Sequence, residues 1–443
     1  MAKKKKNGLH IGSYVIRPLG LAVIGILLVA LIVVGALIVF RSIGVSGPDT
    51  SEPEPTRQVI TLTPTPTATV AATPTVTVEP SPTPSPTPSL RSATIRSLGE
   101  IVVEQNVLSS ARTETSYDFT PMFEMISDVV GNADYTVGDV EGPMDNRADS
   151  AYSGSNPFNT PPQIMLAMKA AGVDMLTLAN GQSLDMLFDG LQQTISNCKT
   201  AEMEYIGAFA SQEEFDTPKI IEINGINVGF LNYTTDLGGM EEQASTNALT
   251  YGVATNTNTN PAEDVQAARE AGADVVIAYI SWGDVGVRSL GDDDYNTAMA
   301  LTRAGVDVIV GYHPHTVIAP RWLEAQTEDG STQRTLCLCA TGNFLSDQRD
   351  RYTSNGIIFE FTIQETSAGE FEITNPVYIP TYVWRYDAED GDGYEYRVLA
   401  VGEWLENRPE GMSDDEFNHL QMVWNDIQET MSQGNVNATV SAN

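Results

Sequence analysis

An α/β fold with a largely parallel core is predicted from about residue 93 onward, and three observations predict it. Short apolar runs recur at VDMLTLAN (173–180), INVGFLNYT (226–234), ADVVIAYISWG (273–283), VDVIVGYHPH (306–315) and TLCLCATGNF (335–344). Helical stretches precede several of them: PPQIMLAMKAAG (161–172), PAEDVQAAREAG (261–272) and DDDYNTAMALTRAG (292–305). Each stretch closes on Ala-Gly, which suits a helix C-cap, and an Asp leads into or opens the strand that follows. A repeated helix–Gly–Asp–strand unit is the pattern of parallel strands joined by crossover helices. The chain then turns strand-rich. GIIFEFTI (356–363), EFEITNPVYI (370–379) and YEYRVLAV (394–401) read as antiparallel returns. SDDEFNHLQMVWNDIQETMS (413–432) reads as an amphipathic helix that Ser413 and Glu416 open with a capping box. Residues 433–443 read as a frayed tail.

Upstream of this domain the chain is built differently. Residues 1–17 are basic, with Lys3, Lys4, Lys5, Lys6 and Arg17. Residues 18–40, PLGLAVIGILLVALIVVGALIVF, carry no charge. As a helix they would span about 34 Å, enough for a hydrocarbon core of about 30 Å. The run is long for a cleavable signal peptide. It is read as one transmembrane helix, with the basic N-terminus cytoplasmic and the remainder outside. Residues 41–92 follow as a linker rich in Pro, Thr and Ser. Eleven of the chain's 24 prolines fall between 47 and 90, a density that favours polyproline II and resists packing. Extended, this stretch would reach on the order of 130 Å, enough to carry a domain through a cell wall.

Charge narrows the function. The 443 residues hold 24 Lys+Arg against 58 Asp+Glu, a net −34. Nucleic-acid binding needs basic side chains on phosphates, so no nucleic-acid partner is expected. The three cysteines, Cys198, Cys337 and Cys339, do not make a disulfide framework. Cys337 and Cys339 share one strand face and are expected as buried free thiols.

Polar residues gather where the strands end. SLGE (97–100), GDVEGP (138–143), ANGQSLD (179–185), SWGD (281–284), GYHPH (311–315) and TGNF (341–344) each follow an apolar run. In open α/β folds, ligands bind at the carboxyl ends of strands. His313 and His315 are two of only four histidines, and Pro314 turns the chain between them. Imidazoles so placed suit a transition metal, with Glu141 and Asn180 as oxygen donors from neighbouring strand ends. Two loop histidines in a proline turn are the plainer reading. Arg349 and Arg351 in RDRY would hold a ligand's carboxylate or phosphate, or pair with local acids. Trp282, Tyr382 and Trp384 would line a polymer groove or fill the core.

Over residues 93–402 the chain resembles the bacterial CapA family of capsule and poly-γ-glutamate synthesis. The resemblance rests on SYDFTPMFEMI (116–126), YTVGDVEGPM (135–144), FNTPPQIMLAMKAAGVDMLTLAN (158–180), GYHPH, TGNFLSDQRDRYTSNGIIFEF (341–361) and YIPTYVWRY (378–386). It implies a metallophosphoesterase-like (calcineurin-like) αββα sandwich, preceded by the transmembrane helix and a disordered linker and followed by a C-terminal helix and tail (403–443). It also implies a ligand set. Glu100 stands where the family has Asp, one methylene longer. Glu141 matches the Glu that would bridge two metals, Asn180 matches the Asn of the NNH motif, and His313 and His315 match GxHPH. Two further positions depart. Gln182 replaces the NNH histidine, a degenerate catalytic position, and Ser281 replaces the HWG histidine.

Gln182 can donate a hydrogen bond but cannot deliver a proton near neutral pH. Ser281 is a poor substitute for an imidazole ligand. One metal position would be built from Glu100, Glu141 and His315, and a second, from Glu141, Asn180 and His313, would be weaker. One divalent Mn, Zn or Fe is therefore expected rather than two, with Ser281, Trp282, Asn343, Arg349 and Arg351 lining the site. The resemblance implies a membrane-anchored, outward-facing protein of capsule or poly-γ-glutamate synthesis, retention or release. Its partners would be an anionic envelope polymer or the machinery that makes it, and the cytoplasmic membrane. The altered positions leave two outcomes open: a weakened metal-dependent hydrolase, or an inactive polymer-binding scaffold.

Overall fold

A computed structural model describes residues 9–11, 14–16, 90–327, 330–388, 391 and 393–443. Leu9–Ile11 and Tyr14–Ile16 form an antiparallel pair of their own. The apolar run 18–40, and the linker as far as residue 89, lie outside the described residues. No helix among the described residues is long and apolar enough to cross a membrane.

From Ser92 the chain builds two sheets. The first contains β1 (Ser92–Ile101), β2 (Tyr135–Val140), β3 (Met175–Thr177) and β4 (Glu204–Ile206) as parallel neighbours. The second is built on β5 (Lys219–Ile223), β6 (Ile226–Thr234), β7 (Val275–Ser281), β8 (Val308–Tyr312), β10 (Arg321–Gln326) and β11 (Thr332–Leu338), in the order β10-β11-β8-β7-β6-β5. Its central strands β6, β7, β8 and β11 are parallel. A small pair, β9 (Val317–Ile318) with β12 (Ala340–Thr341), sits beside them. β13 (Asn343–Leu345) returns to the first sheet along β1. Three strands then complete that sheet: β14 (Asn355–Ser367), β15 (Glu370–Asp387) and β16 (Tyr394–Ala400), all antiparallel as expected.

Strand alternation sorts the side chains into layers. Along β7, Val275, Ile277 and Tyr279 enter the core between the two sheets, where they meet Ile95, Val137, Met175 and Phe359. Val276, Ala278 and Ile280 face the other way, onto α3 (Pro261–Glu270) and α4 (Asp292–Ala304) through Val265, Ala268, Ala298 and Leu301. A period of two dictates this split. On the far side of the first sheet, α1 (Gln163–Ala171) and α2 (Leu187–Thr200) pack Ile164, Met168, Leu191 and Ile195 against Leu98, Val140 and Leu176. The layer order is helix, sheet, sheet, helix. Three of these helices match the sequence pattern, and Gly172 and Gly305 end two of them in the left-handed conformation.

The C-terminal helix α5 (Asp414–Met431) joins the inter-sheet core through Leu420, Val423, Ile427 and Met431. Its capping box forms as expected. The Ser413 hydroxyl accepts from Glu416 N at 3.2 Å, and Glu416 Oε2 accepts from Ser413 N at 2.7 Å. The expectation of a frayed tail beyond it is corrected. β17 (Thr439–Val440) adds in parallel to β15, because the edge backbone at Val377 and Tyr378 offers it partners. All three cysteines are free and buried.

Candidate metal centre

Both sheets bring strand ends to the same place. Glu100 lies near the end of β1, Glu141 directly after β2, Asn180 three residues beyond β3, Ser281 at the end of β7, His313 directly after β8, and Asn343 at the start of β13. Close backbone packing sets two of these ends. Glu100 N donates to Gly342 O at 2.8 Å, and a Cβ at Gly99 would fall 2.4 Å from that same oxygen. Gly311 serves the second sheet. A Cβ there would meet Cys339 O at 2.1 Å and the Trp282 indole nitrogen at 2.5 Å. Only glycine lets Trp282 cross β8 to donate to Cys339 O at 2.9 Å. Trp282 is thus fully buried core, which turns it away from any groove.

The His-Pro-His turn is held in an unusual shape. His313 and His315 have φ of 94° and 58°, left-handed values that non-glycine residues adopt at a cost of order 1–3 kcal/mol. The loop after β7 braces it. Gly286 N donates to Pro314 O at 2.9 Å, and Thr316 Oγ1 donates to Val287 O.

Glu141, His313 and His315 converge. One ligand atom of each lies within 4.8 Å of the others. Glu141 Oε1 stands 4.0 Å from His313 Nδ1 and 3.8 Å from His315 Nε2. Glu100 lies outside that set, on the opposite side of His315, with Oε2 2.9 Å from Nδ1. The same Nδ1 is 3.1 Å from Asn343 Oδ1. Neither Glu100 oxygen makes a hydrogen bond, so the Glu100–His315 approach is an ionic contact, and the ring N–H is directed to Asn343.

The electrostatics follow from burial and crowding. Burial, with Glu100 and Glu104 nearby, pushes the Glu141 carboxyl up to about 7 against a lesser opposing pull from His315. Burial alone would lower the His315 pKa, but Glu100 and Glu141, with the bond to Asn343, raise it to about 10. Asp139 was not singled out in the sequence, yet it belongs here. It pairs in register with Glu100, is almost fully buried and accepts from Thr177 Oγ1 at 2.6 Å. Burial, then Glu100 and Glu141, push its carboxyl well above the usual range. Its signal was the spacing of two that puts Asp139 and Glu141 on one strand face.

The donor set fits a divalent cation. His313 Nδ1 is buried with no hydrogen bond. Buried polar atoms without partners are costly, and two imidazoles with carboxylates are donors for Mn, Zn or Fe. Asn180 is already engaged. Its Nδ2 donates to Val140 O at 2.9 Å, and its Oδ1 accepts from Gln182 N at 3.2 Å. Gln182 Oε1 is buried without a partner beside it. Ser281 is buried, and its carbonyl accepts from Thr235 N at 3.0 Å.

The two arginines act as struts. Arg349 donates to Ser346 O at 2.7 Å and Val383 O at 2.9 Å, and burial lowers its pKa. Arg351 grips Asp426 of α5 with bonds of 3.1 and 2.8 Å. Trp384 donates to Glu416 at 3.0 Å and packs on Tyr386. A surface hollow of about 600 Å³ lined by Lys199, Tyr205, Glu214 and Lys219 holds none of the strand-end residues. Donor chemistry, not cavity size, locates the site.

The chain is 24% identical over 288 residues to the capsule biosynthesis protein CapA of Bacillus anthracis, covering 63% of this chain and 66% of that protein. It is 25% identical over 259 residues to the PGA biosynthesis protein CapA of Bacillus subtilis (strain 168), covering 57% and 64%. It thus spans slightly less than two thirds of the length of either relative. Among solved structures, the calcineurin-like phosphoesterase YfkN from Bacillus subtilis aligns with 78% of this chain and 99% of its own at 13% identity, with a TM-score of 0.41. The model of the bacterial capsule synthesis protein family PGA_cap matches residues 94–348, more than half of the chain and all of the candidate metal set, so this protein belongs to that family.

Proposed function

We propose that this protein acts at the cell envelope in the synthesis, retention or release of a capsule polymer of the poly-γ-glutamate kind, through a metal-dependent, hydrolase-type site of reduced power. Family membership, together with the Glu141–His313–His315 set kept intact inside the matched region, carries this reading. The apolar run 18–40 and the proline-rich segment after it support an anchored chain with its main domain outside. The polymer, or the proteins that make it, would be the partner.

A bound divalent cation would polarise a phosphoryl or carbonyl oxygen as a Lewis acid. The protein's own contribution is to hold the donors at two strand ends. Gln182 would present an amide to a leaving oxygen but has no proton to give near neutral pH. Ser281 adds no imidazole for a second cation. These two positions favour a second reading, a polymer-binding scaffold that kept the fold without the chemistry.

The test compares polymer in producing cells that carry the wild type or Glu141→Gln. A shift of polymer between cell-bound and released fractions supports the metal-dependent reading. Normal polymer with Glu141→Gln, but loss on deletion of the whole domain, supports the scaffold. Normal polymer in both removes the envelope-polymer assignment.

A further inference from the structure

We propose that Asn343 locks His315 with its proton on Nδ1, so that Nε2 is the metal donor and Glu100 is a positioning carboxylate behind the ring. This rests on the metal-binding reading of the site, and it moves Glu100 out of the ligand set that family resemblance implies.

The Thr353 carbonyl orients the Asn343 amide. Thr353 O can only accept, and an Asn343 side-chain atom lies 2.8 Å from it, so that atom is Nδ2. The second Nδ2 hydrogen points to Gln348 Oε1 at 3.2 Å. The amide cannot flip without setting its oxygen against the Thr353 carbonyl. Its Oδ1 therefore faces His315 Nδ1 at 3.1 Å. An amide oxygen only accepts, so Nδ1 must carry a hydrogen. Glu100 Oε2, 2.9 Å from the same nitrogen, adds negative charge on that side and favours the N–H there.

The lone pair available for a metal is then on Nε2, the nitrogen that faces Glu141 Oε1 at 3.8 Å. The unpartnered His313 Nδ1 faces the same carboxylate oxygen. Three donors from two sheets thus meet at Glu141. The extra methylene that distinguishes Glu from Asp at position 100 lengthens the side chain that brings this carboxylate to the ring. An acceptor behind a metal-bound imidazole fixes its tautomer and orientation, and its removal typically costs 10–100-fold in metal affinity.

The test uses the full chain labelled with ¹⁵N-histidine and loaded with Zn²⁺. Long-range ¹H–¹⁵N correlations, with His315→Ala for assignment, report which nitrogen binds zinc. The expected result is a protonated Nδ1 and a zinc-bound Nε2. Asn343→Asp keeps the acceptor toward Nδ1 but turns its second oxygen onto Thr353 O, so it should retain that pattern while melting below wild type. Asn343→Leu should lose it and bind about 10–100-fold more weakly, and Glu100→Gln should weaken zinc by about tenfold without changing stoichiometry. Zinc on Nδ1 in the wild type, or loss of all zinc binding in Glu100→Gln, overturns this proposal alone. No zinc uptake by the wild type overturns it together with the metal reading.

Discussion

The imidazole of His315 stands 2.9 Å from the carboxylate of Glu100, and both side chains are shut away from solvent, at 6% and 0% exposure. Asp139 and Glu141 crowd the same space from the neighbouring strand. Such a group of buried acids around one ring is expensive unless protons or a cation neutralise it.

The first prediction is a pH dependence. Without metal, folded Glu141 holds its proton up to about 7 rather than 4.5, and folded His315 holds its proton up to about 10 rather than 6.5. Both values are raised, so each contribution to stability is present below the unfolded value and is lost as pH climbs through the folded one. Melting temperature in a chelator should fall between pH 5 and 9, and Glu141→Gln should flatten the part between pH 5 and 7. Added Mn²⁺ or Zn²⁺ needs deprotonated ligands, so its stabilising effect should grow over the same range. A metal effect that shrinks as pH rises would contradict this.

Gln182→His combined with Ser281→His restores two imidazoles at the strand ends. Bound metal should rise from one equivalent toward two, and phosphodiesterase or amidase activity should rise with it. Unchanged stoichiometry would show that the altered loops do not limit the site.

Gly99→Ala places a methyl group against Gly342 O. Backbone, not a flexible side chain, must give way. Urea unfolding should show a loss of about 1–3 kcal/mol, and metal affinity should fall because β1 carries Glu100. Full stability in this variant would mean that the β1–Gly342 contact does not position the site.

Arg351→Ala should release α5 rather than the metal. The guanidinium is 57% exposed but grips Asp426, which is 9% exposed. Hydrogen exchange over Asp414–Met431 should quicken while metal affinity stays level. A fall in metal affinity instead would return Arg351 to the site.

Much of this was legible because alternation and capping are local. Three helices follow from stretches closed by Ala-Gly, the β6, β7 and β8 strands follow from apolar runs, and the strand-end loops mark where donors meet. Helix α2 was not read. Its buried face, Leu191, Thr194, Ile195 and Cys198, is diluted by Gln, Asn and a glycine, and the pattern reads as polar. TLCLCATGNF read as one strand, yet it divides among β11, β12 and β13 and crosses from the second sheet to the first, with Gly342 at φ 69° in the turn. No periodicity shows a change of sheet, and that crossing carries Asn343 to His315. Asp139 escaped notice because its importance comes from Glu100 on the adjacent strand, a pairing that only the fold creates.

Metal stoichiometry distinguishes a single bound cation from an empty site. The purified chain, loaded with Mn²⁺ or Zn²⁺ and freed of excess, should carry about one ion per chain by elemental analysis. His313→Ala, His315→Ala and Glu141→Gln should each strip it in calorimetric titration, as expected when one of three donors is lost. No ion bound at millimolar supply, or full occupancy in all three variants, would contradict the account.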